Sequence, residues 1–172
     1  YVLKFYTDVI TLGEYHIISG FIIFAQSIST ILILPYVKNI YRMPEKQLIK
    51  IRKFIAKIGF LIQFLVTIII YYILKEFYNI QLNTLQLLAA FLIGYPTYIY
   101  VTYVYNLYKK KLELIVLKIC AFCTILNVSL SIVFLKLNYG ITALLFINVA
   151  IQIICLIYYT QYKIDNKSFK KI

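Results

Sequence analysis

Residues 38–57 read KNIYRMPEKQLIKIRKFIAK, with seven basic side chains and a single acidic one, Glu45. Strongly apolar segments lie directly before and after this stretch. A basic patch of this kind can bind a nucleic acid, or it can keep one side of a membrane protein in the cytoplasm. The composition of the chain and the placement of its other charges decide between the two.

The composition is typical of a membrane protein. Hydrophobic residues make up 63% of the 172 residues and charged residues 14%, against about 45–50% and about 25% in ordinary globular domains. The surplus consists of Ile, Leu, Tyr and Phe, and a soluble fold of this length has too little interior to bury them. We therefore expect the chain to lie in a lipid bilayer.

Five apolar segments are long enough to cross a bilayer as helices, which requires about 20 residues each. They are residues 15–37, 54–74, 85–108, 114–135 and 141–160. The sequence thus predicts an all-α, polytopic membrane protein with about five transmembrane helices. The chain begins with Tyr1 rather than Met, and we expect it to be a fragment of a longer protein.

The charges alternate from one connection to the next. Basic residues concentrate in the first connection, the third connection and the C-terminal tail: Lys38, Arg42, Lys46, Lys50, Arg52, Lys53, Lys57, Lys109, Lys110, Lys111, Lys118, Lys163, Lys167, Lys170 and Lys171. The opposite side has only Lys4, Lys75 and Lys136. The positive-inside rule then predicts an external N-terminus and a cytoplasmic C-terminus. Nucleic-acid binding does not predict such alternation, so we expect no nucleic-acid partner.

The basic patch has a helical pattern of its own. Pro44 and Glu45 suit the first turn of a helix. Apolar residues then recur at helical spacing, away from the lysines: Leu48, Ile51, Ile55 and Ile58. We expect an amphipathic helix that lies at the inner membrane surface and then turns into the second span. A plain solvated loop is the alternative.

Polar side chains occupy one narrow arc of the first span. Tyr15, Ser19, Gln26 and Thr30 are separated by four, seven and four residues, so they share a helix face. They form either a hydrophilic wall along a water-filled path or a polar contact between helices. Both interpretations stay open at this point.

A second polar set flanks the predicted turn at Asn138. Asn127 and Asn148 lie eleven and ten residues from it, and Thr124 and Gln152 lie fourteen residues from it. At about 1.5 Å per residue, each pair falls at matching depth in the bilayer. We predict a polar seam of these four residues between the fourth and fifth spans.

Gly94 and Pro96 lie midway along the third span. Proline removes a backbone hydrogen bond, so we expect the helix to be interrupted and its axis to bend there.

The three cysteines, Cys120, Cys123 and Cys155, lie in apolar segments without a second cysteine pair or a histidine cluster. We expect buried, inert thiols and neither a metal site nor a cofactor. One histidine and six acidic residues in no cluster offer no catalytic constellation, so we expect no enzymatic activity.

Four stretches together resemble a known family. They are LGEYHIISGFIIF (12–24), ILPYV (33–37), YNLYKKKLEL (105–114) and ILNVSLSIVFLKLNYGITALLFINVA (125–150). In this order they resemble the C-terminal part of the polysaccharide-biosynthesis flippases, which include the O-antigen repeat-unit flippases of the multidrug/oligosaccharidyl-lipid/polysaccharide exporter superfamily. One departure concerns the last span, because family members often have a second glycine where Ile141 follows Gly140.

The resemblance implies that residues 1–172 form most of the C-terminal lobe of a two-lobed flippase, with the N-terminal lobe missing. Such a protein carries an undecaprenyl-pyrophosphate-linked oligosaccharide across the bacterial cytoplasmic membrane by alternating access. Its partners would include other membrane proteins of polysaccharide assembly. By the same resemblance, Ser19, Gln26 and Thr30 would line the cavity. Lys57 and Lys118 would neutralise the pyrophosphate from the inner side.

Three other functions compete with this one. A drug or metabolite antiporter of the same superfamily would need a carboxylate within the membrane, whereas Glu14, Glu76 and Glu113 lie at span ends. A membrane enzyme of polysaccharide assembly would need convergent acids, bases or a metal. A membrane scaffold without a transport role is the third.

Overall fold

The computed structural model describes residues 9–137 and 139–161, with side chains from Gly13 onward. This part of the chain forms α1 (Val9–Ile33), α2 (Val37–Arg42), α3 (Glu45–Tyr78), α4 (Thr84–Lys109), α5 (Glu113–Lys136) and α6 (Gly140–Gln161). Lys4, Asn138 and the four C-terminal lysines lie outside the described residues.

The predicted fold class is confirmed. Within the described residues, five stretches of helix are long and apolar enough to cross a membrane: Gly13–Arg42, Glu45–Tyr78, Thr84–Lys109, Glu113–Lys136 and Gly140–Gln161. They correspond in order to the five predicted spans. The chain is thus an all-α, multi-span membrane protein.

The helix ends follow from local chemistry. Pro35 disfavours helical backbone at the residue before it, and α1 accordingly ends at Ile33, before a 3-10 turn at Leu34–Tyr36. The first predicted span contained no such break. At the start of α4, Asn83 Oδ1 accepts the Gln86 N–H at 2.8 Å, and Gln86 Oε1 accepts the Asn83 N–H at 3.0 Å. This reciprocal cap satisfies two backbone donors that a helix start leaves open.

The prediction of a separate surface helix before the second span is wrong. The helix does begin at Glu45, after Pro44, but α3 continues through 34 residues without a turn. Residues 45–58 contain neither glycine nor proline, so nothing in the backbone favours a break. The apolar stripe also packs against protein rather than the membrane surface, because Leu48 is buried beside Ile40 and Val101.

α4 lies at the centre of the bundle, in contact with α1, α3, α5 and α6. Half of the residues in the most apolar segment of α4 are buried inside the bundle, against 17% in that of α5. Its buried residues include Ala89, Ala90, Gly94 and Thr97. Small side chains let neighbouring backbones approach closely, which is how helices associate inside a bilayer.

The antiparallel pair α3 and α4 meets through two glycines. A Cβ atom at Gly59 would overlap the base of the Tyr98 side chain, and one at Gly94 would overlap the Gln63 amide. Gly59 and Gln63 are four residues apart on α3, as Gly94 and Tyr98 are on α4. Each helix therefore offers one glycine to receive one large side chain of the other.

Pro96 lies inside α4, which continues without interruption from Thr84 to Lys109. The predicted interruption of the helix is therefore wrong, while the bend in its axis stays a prediction. Thr97 Oγ1 donates to the Gly94 carbonyl at 2.6 Å. The carbonyl that Pro96 leaves without a helical donor is that of Leu92, so this side-chain hydrogen bond does not replace the missing one.

Replacing Gly59 with Ala should destabilise the protein by about 1–3 kcal/mol, because the new methyl group collides with the rigid base of Tyr98. Gly20→Ala is the matched control, since a Cβ atom there meets nothing within 4 Å. Thermal unfolding of the purified protein in detergent measures both. Equal melting temperatures for the two variants would contradict the proposed packing.

Candidate functional site

A polar cleft lies between α1 and α4. Its volume is about 210 Å³. Six of its lining residues carry side-chain polar groups: Gln26, Ser27, Ser29, Thr30, Thr97 and Tyr100. By their positions in the two spans, these residues lie within the hydrocarbon region, where polar groups need partners or a water-filled space.

Most donors in the cleft are used inside the bundle. Gln26 Nε2 donates to the Ile93 carbonyl of α4 at 3.2 Å, and Ser29 Oγ donates to the Gln26 carbonyl at 2.7 Å. The Tyr100 hydroxyl donates to Gln152 Oε1 on α6 at 3.0 Å. Thr30 differs, because it is exposed and forms no hydrogen bond with any residue the structure describes. It can therefore present both its donor and its acceptors to a bound molecule.

The polar arc predicted on α1 divides into two parts. Gln26 and Thr30 line the cleft. Ser19 lies outside it, where its hydroxyl donates to the His16 carbonyl at 3.0 Å. Tyr15 points towards α6, and its hydroxyl oxygen accepts from Asn148 Nδ2 at 3.3 Å. Tyr15 and Gln26 thus join helices, whereas Thr30 faces an open space.

Asn148 is the centre of a network that joins three helices. Asn127 Nδ2 of α5 donates to Asn148 Oδ1 at 2.8 Å, and Asn148 in turn donates to Tyr15 of α1 and to the Leu144 carbonyl. Ser131 Oγ donates to Asn127 Oδ1 at 3.3 Å. The structure therefore brings together the two asparagines of the predicted seam.

The other predicted pair of the seam does not meet. Gln152 bonds Tyr100 of α4, and Thr124 is exposed. The reason is the helical period. Thr124 lies three positions before Asn127 and Cys123 lies four, so the two side chains project on opposite sides of Asn127. Cys123, not Thr124, lies on the side that faces α6, where its Sγ atom is 3.1 Å from Cys155 Sγ.

The expectation of three buried thiols is partly wrong. Cys123 is buried and Cys155 is half-buried, but Cys120 is exposed, with its Sγ atom 3.4 Å from the Tyr159 hydroxyl. Among the described residues, no group of three His, Cys, Asp or Glu side chains is placed to hold a metal ion.

The two lysines proposed for pyrophosphate lie apart from the cleft. Lys57 of α3 and Lys118 of α5 are both exposed, and neither lines it. Among the described residues that line the cleft, none has a charged side chain.

A larger cavity, of about 390 Å³, lies between α3 and α4. Its lining is dominated by apolar side chains such as Phe60, Phe64, Leu87 and Phe91. It therefore does not suit a polar headgroup, and the cleft between α1 and α4 is the better candidate site.

Sequence reasoning missed three buried polar residues of α3, namely Arg52, Gln63 and Thr67. Gln63 is 1% exposed, and its Nε2 atom lies 3.5 Å from the Ala90 carbonyl of α4. Arg52 is 8% exposed, and its Nε donates to Thr102 Oγ1 at 3.1 Å. A signal existed for Gln63, because Gly59, Gln63 and Thr67 recur every four residues in an otherwise apolar span. No sequence pattern distinguishes Arg52 from the six other basic residues of the stretch 38–57.

No protein-family model, curated protein or solved structure matches this chain. The fold and the site define its class, a small polytopic helical membrane protein with polar contacts and a polar cleft inside the bundle.

The hydrogen bond between Asn127 and Asn148 should contribute about 0.5–2 kcal/mol to stability. A double-mutant cycle with Asn127→Leu and Asn148→Leu, measured by unfolding in detergent, gives this coupling directly. Gln152→Leu combined with Asn127→Leu is the control, and it should be additive because Gln152 bonds Tyr100 instead. Additivity in both cycles would show that the asparagines do not interact.

Proposed function

We propose that the chain is part of a transporter that moves a lipid-linked oligosaccharide across the cytoplasmic membrane. The polar cleft between α1 and α4 carries this proposal. Exposed Ser27 and Thr30 lie there between exposed apolar residues such as Ile23 and Ile31. The Ser27 hydroxyl donates to the Ile23 carbonyl at 2.9 Å, whereas the Thr30 hydroxyl has no partner among the described residues. An unpaired hydroxyl is costly in hydrocarbon, and a water-filled path for a sugar headgroup would give Thr30 a partner.

The charge distribution supports the same proposal. In the described part of the chain, one half of the bundle contains eleven basic residues and two acidic ones, Glu45 and Glu113. The other half contains Lys75 and Lys136 with Glu14 and Glu76. With the basic half in the cytoplasm, α1 enters from outside, and Lys57 and Lys118 could attract a diphosphate from the inner leaflet.

The resemblance to the polysaccharide flippases supplies the substrate class. It also implies a second lobe, which would pack against the cleft between α1 and α4 and enclose it as a central cavity. A drug or metabolite antiporter is the rival from the same superfamily. It is less favoured because the described carboxylates lie at or near helix ends. We also propose that the chain itself catalyses no reaction.

The proposed orientation can be tested by labelling. A cysteine introduced as Lys75→Cys should react with a membrane-impermeant maleimide on intact cells, whereas one introduced as Lys46→Cys should react only after lysis. Both variants are made with Cys120, Cys123 and Cys155 replaced by Ser. Reaction of the Lys46→Cys variant on intact cells would contradict the orientation.

Thr30→Val should reduce export of the surface glycan about five-fold in the source organism, because one hydrogen bond of about 1 kcal/mol to the transported headgroup is lost. Thr124→Val is the matched control, since Thr124 is also exposed but lies on α5, outside the cleft. Glycan is quantified at equal protein abundance. Unchanged glycan export in Thr30→Val would show that the cleft is not part of the transport path.

A further inference from the structure

Arg52 differs from the basic residues around it. Lys46, Lys50 and Lys53 on the same turns of α3 are exposed, whereas Arg52 is 8% exposed. Its Nε atom donates to Thr102 Oγ1 at 3.1 Å, and its Cζ atom lies 3.4 Å from the centre of the Tyr103 ring. One edge and one face of the guanidinium are therefore fixed by α4.

In residues 9–137 and 139–161 no carboxylate lies within ion-pair distance of Arg52. Glu45, seven residues earlier on α3, attracts the guanidinium only from beyond that distance. Buried charges are normally paired, because an isolated charge loses the hydration that stabilises it. A cation–π contact supplies only part of that stabilisation. The arrangement thus favours an anion at the edge of the guanidinium that Thr102 does not occupy.

The position of Arg52 along α3 indicates where such an anion comes from. Arg52 lies seven residues after the first residue of α3 and just before its apolar part, about 10 Å along the helix axis. The first residues of α3 and the last residues of α4 are also the most basic, and Lys109 Nζ donates to the Met43 carbonyl at 2.7 Å. This is the level at which lipid phosphates lie when the apolar part of α3 fills the hydrocarbon layer.

We infer that Arg52 binds the phosphate of an anionic phospholipid headgroup at the basic end of the bundle. A guanidinium presents parallel N–H donors that match two phosphate oxygens, whereas an ammonium acts as a point charge. The exposed lysines attract anionic lipid without selecting a position. Arg52 provides the fixed contact, because Thr102 and Tyr103 hold its guanidinium in one orientation. This site is independent of the polar cleft and of the transported substrate.

The test uses the purified protein in detergent, titrated with phosphatidylglycerol and followed by native mass spectrometry. Arg52→Gln should weaken binding of the first lipid about ten-fold, as expected for a lost charge-assisted hydrogen bond. Lys46→Gln is the control on the same helix, and it should change this affinity less than two-fold because exposed charges contribute little. Equal affinities for Arg52→Gln and Lys46→Gln would overturn the proposal.

Two further variants keep the test decisive if Arg52→Gln does not fold. Arg52→Lys retains the positive charge but lacks the parallel N–H donors of the guanidinium. Thr102→Val retains the guanidinium but removes the acceptor of its Nε–H. Both variants should weaken lipid binding. Wild-type affinity in both would show that charge alone suffices and would contradict a built site. Titration with inorganic phosphate distinguishes the sources: displacement of the lipid by free phosphate would mean that the site does not require a lipid.

Discussion

The contact on which the rest of the bundle depends is the reciprocal packing of α3 and α4. Inside a bilayer the surrounding lipid is as apolar as the helices, so association requires close packing and polar contacts rather than burial from water. Gly59 receives Tyr98, and Gly94 receives Gln63. These two contacts fix the register of the antiparallel pair, because sliding either helix by one residue would rotate both glycines out of place. α4 in this position then contacts α1 and α6 as well.

The middle of α4 is also where glutamines of the neighbouring spans contact its backbone. Pro96 leaves the Leu92 carbonyl without its helical donor, and the glutamines contact other carbonyls of the same stretch. Gln26 of α1 donates to the Ile93 carbonyl, and Gln63 of α3 approaches the Ala90 carbonyl. The two interpretations of the polar arc on α1 are therefore compatible. Its glutamine fastens α1 to α4, and the threonine one turn further on is left at an open cleft.

The sequence was sufficient for those features that depend on composition and helical period alone. The number of spans followed from apolar length, and the meeting of Asn127 with Asn148 followed from nearly equal distances to a turn. The sequence was insufficient where the position of a neighbouring helix determines which side chain is in contact. A difference of one position separates Thr124 from Cys123, and only the direction of α6 selects between them. The basic residues at the start of α3 suggest a separate surface helix, but residues 45–58 contain no helix-breaking residue, and α3 is continuous through them.

Positive charge has two different roles in the basic half of the bundle, and burial distinguishes them. Exposed lysines keep their hydration, so their effect on orientation is collective and no single one is essential. Arg52 has lost most of its hydration, and two residues of α4 restrict its guanidinium. Desolvation makes that one charge costly to the isolated chain and makes its interaction with an anion stronger than at the surface. With an anionic headgroup bound as proposed, the same residue would couple the packing of α3 on α4 to the chemistry of the membrane surface, which none of the exposed lysines can do.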